Sequence, residues 1–97
     1  MTALESRRRV QRELANLRGL VRRTGLTGRN ARSAALAYGR ATEAVLRYED
    51  AAGIDAAAPF TDRLTALRDE ARSAGLLTDR EVLEADVRAV EKIDAGV

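Results

Sequence analysis

The chain has 97 residues, a formal net charge of +2, and neither cysteine nor histidine. Those two absences exclude disulfides, thiol nucleophiles, Cys/His metal sites and the imidazole proton shuttle of neutral pH. One domain is expected at this length, with a core limited by twelve Leu, seven Val, two Ile, one Phe and two Tyr beside nineteen Ala, so association with another chain would add needed buried surface.

No apolar run approaches a membrane span and no signal-peptide pattern opens the chain, so a soluble, cytoplasmic protein without membrane contact is expected. Sixteen Arg against one Lys reads as the codon usage of a high-GC bacterial or phage genome. The charge is unevenly placed. Residues 1–50 carry eleven Arg and five acids, a net of +6, whereas residues 51–97 carry five Arg, Lys92 and ten acids, a net of −4. Such a division points to an anionic partner for the first half or to head-to-tail self-association.

The first helix opens at "TALE", where Thr2 can cap and Glu5 can reach back. Its apolar stripe is Val10, Leu14, Leu17 and Val21, with Arg residues spread over the other side. Gly25, followed by Leu26, is expected to stop it in a Schellman-type turn. Thr27 caps a second helix over about 28–52, whose seam is Ala31, Ala34, Tyr38, Ala41, Val45, Tyr48 and Ala52. Three-four spacing held over three heptads resembles a coiled-coil seam.

Gly53 and Pro59 mark residues 53–58 as a linker. A third helix is expected from Pro59 to Ala74, with Phe60, Leu64, Leu67, Ala71 and Ala74 as its stripe and Gly75 as its stop. Thr78 and Glu81 form a second capping box before a fourth helix bearing Val82, Leu83, Val87, Val90 and Ile93. The turn at 25–27 is repeated at 75–78, Gly-Leu-Thr against Gly-Leu-Leu-Thr, preceded in each case by two core leucines. These are the parts a helical hairpin needs, used twice. "LTDREVL", 77–83, resembles the opening of LuxR-type DNA-binding domains over that one segment; the acidic "EADVRAVEKID" that follows makes it a shared helix cap.

The expected fold is an all-α four-helix bundle made of a long basic hairpin (1–52) and a short acidic one (59–97). At 1.5 Å per residue the first two helices measure roughly 35 Å each and the last two roughly 25 Å. On that reading an apolar end bearing Val45 and Tyr48 stays uncovered, which calls for a partner.

No catalytic, metal or cofactor constellation stands out, and paired acids such as Asp69/Glu70 and Glu81/Glu84 read as a solvated helix surface. The leading expectation is a non-enzymatic interaction or assembly module in a bacterial or phage complex. It would form a homo-oligomer, or dock on another protein, through Tyr38, Ala41, Val45 and Tyr48. The alternative is DNA binding by a helix-turn-helix threaded on residues 17–36. Arg29, Asn30, Arg32 and Ser33 would then read bases, while Arg7, Arg8, Arg12, Arg22 and Arg23 meet phosphates. The two expectations part on geometry: a near-perpendicular crossing of the first two helices favours DNA, and an antiparallel one favours a bundle.

Overall fold

The structure, a computed structural model, describes residues 2–22 and 28–95, and the side chains of these except 28–31. Four helices follow one another: α1 (Ala3–Val21), α2 (Gly28–Ala52), α3 (Ile54–Ser73) and α4 (Asp79–Ala95). The protein is an all-α bundle.

Pairs of contacting residues set the directions. Arg9 meets Glu43, and Leu20 lines the same hollow as Ser33, so α1 and α2 run antiparallel along their length. Tyr48 meets Phe60, which turns α3 back against α2. Gly39 faces Ala85 and Arg32 lies near Glu81, so α4 runs parallel to α2. The order is up, down, up, down. The arrangement is not a square, however: α1, α2 and α3 pack as a triangle, and α4 lies mainly on α2.

The triangle holds the core. Val10, Leu14, Leu17 and Val21 come from α1, as their spacing requires. Phe60, Leu64, Leu67 and Ala71 come from α3. Because α2 is covered by both neighbours, its buried stripe is two residues wide and adds Ala37 and Ala44 to the expected seam. Ala52 and Ala74, expected on their stripes, are exposed.

The punctuation after α3 is as its sequence implies. Gly75 has φ 76°; its N–H bonds to the Arg72 carbonyl and that of Leu76 to the Ala71 carbonyl, the two bonds of a Schellman stop. Leu76 is buried beside Ala71. The Thr78 N–H then donates to Glu81 Oε1 (3.0 Å) and the Glu81 N–H to Thr78 Oγ1 (3.1 Å), a reciprocal capping box. At α1, the Glu5 N–H donates to Thr2 Oγ1 at 3.2 Å. The corresponding stop at Gly25, Leu26 and Thr27 lies outside the described residues.

The expected linker is absent. Residues 54–58 are the first turns of α3, and Gly53 alone separates it from α2. Gly53 has φ 96° and ψ 161°, a conformation essentially confined to glycine, and this lets one residue reverse the chain. Pro59 sits in the second turn, where it forfeits only the bond to the Asp55 carbonyl, in an exposed stretch open to water. With α3 at 20 residues and α1 at 19, the difference in hairpin length narrows to that between α2, 25 residues, and α4, 17. Phe60 of α3 meets Tyr48, and Ala57, Phe60, Val45 and Tyr48 are all buried.

At Gly53 an added Cβ would meet no atom within 4 Å, so the cost of Gly53→Ala is one of backbone strain. Urea unfolding should show a loss of about 1–3 kcal/mol; unchanged stability would mean the turn can be made another way.

Candidate functional site

The four residues expected to form a docking seam are core. Tyr38, Ala41, Val45 and Tyr48 are 3%, 0%, 2% and 8% exposed. They belong to the core shared with α1 and α3, where Tyr48 packs edge-on against Phe60, ring centroids 5.5 Å apart. Tyr38 has a further task. Its hydroxyl donates to Asp86 Oδ1 on α4 at 2.8 Å, while Thr42 donates to its carbonyl one turn on. Burial, then the bond to the Asp86 carboxylate, pushes the phenol up to about 12.

The cations expected to face DNA are dispersed. Arg7 lies over the Phe60 ring, 6.0 Å from its centroid. Arg12 pairs with Glu13, and Arg22 with Glu70 of α3 (3.5 Å each). Arg8 and Arg32 are exposed on different helices, and Ser33 is half-buried. Arg23 lies outside the described residues, as do the side chains of Arg29 and Asn30 in the first turn of α2. The antiparallel course of α1 and α2 gives these residues no helix-turn-helix crossing to stand on.

One internal charge cluster is structural. Glu43 of α2 accepts from Arg9 of α1 (3.1 Å) and from Arg47 (3.2 and 3.3 Å). Burial alone would raise the Glu43 carboxyl, but the bonds from Arg9 and Arg47 outweigh it and hold the group below its ordinary range.

Two surfaces remain that the sequence reading did not isolate. The first is the outer side of α4. Leu83, Val87 and Val90 are 64%, 47% and 50% exposed and follow one another at four and three residues, a continuous stripe. The other apolar face of α4 is made from half-buried Val82, Ala85 and Ile93 and buried Ala89, with Val82 and Ala85 packed against the core. There Gly39 and Ala85 are close neighbours: a Cβ on Gly39 would lie 3.8 Å from that of Ala85. The helix thus has two apolar faces about a third of a turn apart. The signal was present in the sequence, because Val82, Leu83, Val87, Val90 and Ile93 cover too wide an arc for one contact.

The second surface is a groove of about 770 Å³ between α1 and α3. Arg18, Arg22 and Arg63 line it with Glu70 as the only acid, and Ala15, Gly19 and Ala66 make a floor over Leu14 and Leu67. Arg63 also lies over the Phe60 ring, 5.8 Å from its centroid. The groove is cationic and lined by small residues. No cluster of three or more metal-ligating side chains occurs among the described residues, and no helix among them is long and apolar enough to cross a membrane.

No protein-family model, curated protein or solved structure matches this chain. Function therefore has to be argued from these surfaces.

Two pH responses follow. The Tyr38 phenol is raised in the fold, so its contribution is complete below pH 10 and is lost as pH rises toward 12. Unfolding free energy should fall by about 2–3 kcal/mol more over that range in the native chain than in Tyr38→Phe; parallel curves would contradict a phenol buried and bonded to Asp86. Glu43 behaves in the opposite sense, its contribution being present above the ordinary carboxylate range and lost as pH falls through the lowered value. Glu43→Gln should cost about 2 kcal/mol at pH 7, and the gap to the native chain should close in acid.

Proposed function

We propose that this chain is a non-enzymatic, self-associating helical module, one that builds a cytoplasmic assembly through the outer stripe of α4. The observation that carries the proposal is the placement of Leu83, Val87 and Val90. The apolar side chains of α4 divide between a face that includes half-buried Val82, Ala85 and Ile93 with buried Ala89, and a separate exposed line of Leu83, Val87 and Val90. A chain with so few large apolar residues gains little by leaving three of them on one exposed line, unless another surface covers them. Exposure of single leucines is ordinary; a helical stripe at four-three spacing is the geometry of a helix–helix contact.

The seam of α2 has no part in this function, since it is already covered. DNA binding by the first hairpin has less support, because its cations are spread over several faces and several are engaged with Glu13, Glu70 or Phe60.

Light scattering tests the proposal. The native chain should exceed the monomer mass of 10.5 kDa at micromolar concentration, and Val87→Glu, a change at a half-exposed site, should return it to monomer with its helicity intact. Val45→Glu, by contrast, should unfold the chain, because it puts an unpaired charge in the core. A native monomer at every concentration, or an oligomer that survives Val87→Glu, would contradict the proposal.

A further inference from the structure

We infer that the α4 stripe of one copy docks into the α1–α3 groove of a second, so that copies join head to tail. The inference rests on the α4 stripe being the associating face, and it names the surface that receives it. Three properties of the two surfaces match.

The first is charge. Arg18, Arg22 and Arg63 against Glu70 leave the groove with a net of +2, and Arg7 stands close by over the Phe60 ring. The α4 stripe is accompanied mainly by acids: Asp94 continues the line after Val90, Asp86 and Glu91 flank it, and Arg80, which precedes Leu83 on the line, is paired with Glu84. Taken whole, α4 carries six acids and three cations. Acidic helix against basic groove is favoured at long range as well as in contact.

The second is shape. The floor of the groove is small where the stripe is large. At Gly19 an added Cβ would meet nothing within 4 Å, and Ala15 and Ala66 beside it are exposed. Leu83, Val87 and Val90 would enter that space as ridges enter a groove.

The third is length. α4 has 17 residues, about 26 Å of helix, and α1 and α3 have 19 and 20, about 28 and 30 Å. The groove itself is lined by residues 11–22 of α1 and 63–70 of α3, about 17 and 11 Å of helix, and the stripe from Leu83 to Val90 spans about 11 Å, so the stripe fits within it.

Position then sets the symmetry. α4 packs on α2, whereas the groove lies between α1 and α3. Donor and acceptor surfaces differ and belong to different sides of the chain, so the contact is heterologous. Its repetition yields a ring or a filament rather than an isologous pair.

The test is complementation by light scattering. Val87→Glu blocks the stripe and keeps the groove; the double variant Arg18→Glu/Arg63→Glu reverses the groove and keeps the stripe. Circular dichroism checks that each is folded. Gly19→Leu, which fills the floor without altering charge, is a second block on the groove. Each variant alone should lose self-association by at least about tenfold in Kd. A mixture of the stripe variant with either groove variant should give a 1:1 heterodimer of about 21 kDa, twice the chain mass, because one intact surface of each kind remains. If the groove variants associate like the native chain, the groove is not the receiver and the inference fails, while association through α4 stands. If all are monomeric and mixing restores nothing, the head-to-tail contact is likewise overturned. A native chain that is itself monomeric overturns both, and leaves the stripe to a different protein.

Discussion

Tyr38 couples α4 to the rest of the fold. Its ring is packed in the core of α1, α2 and α3, and its hydroxyl reaches Asp86. Near that bond, Gly39 and Ala85 let the backbones of α2 and α4 approach closely. Val82 adds apolar area to this small-residue contact. The bond from a phenol that does not easily ionise adds positioning, in a setting where an unmade bond would be expensive.

Once α4 is attached by this face, the direction of its exposed stripe is settled. Helical geometry places Leu83, Val87 and Val90 about a third of a turn from Ala85 and Ala89. They cannot reach the core while Asp86 holds Tyr38. The same attachment leaves α1 and α3 uncovered on their shared side, where Arg18, Arg22 and Arg63 border a floor of small residues. One contact thus leaves two unfilled surfaces of opposite character. The groove draws Arg18 and Arg22 from the basic first half of the chain and Arg63 from the acidic second half, whereas the α4 stripe lies wholly in the second.

Much of the fold was legible in the sequence. Four helices, the stripes of α1 and α3, the Gly75 stop and the Thr78–Glu81 box all follow from local rules that the structure obeys. The length of α3 did not follow, because Gly53 and Pro59 are both breakers by composition. Only the dihedral angles of Gly53 reveal that one residue makes the whole turn. Val45 and Tyr48, expected at an uncovered end, are in the core, where Phe60 of α3 meets Tyr48. The site was less legible than the fold. Periodicity marks which residues of α4 are apolar, but which of two apolar faces turns inward is decided by Tyr38 on another helix, at a sequence distance no local pattern spans. The groove depends likewise on α1 and α3 lying side by side, with Arg18 and Arg63 forty-five positions apart.

The most direct measurement is a dilution series followed by methyl NMR on the native chain. The account predicts that the methyl signals of Leu83, Val87 and Val90 move with protein concentration while those of Val10, Leu17 and Val45 in the core stay still. A spectrum independent of concentration, or one in which Val45 moves and Val87 does not, would contradict it.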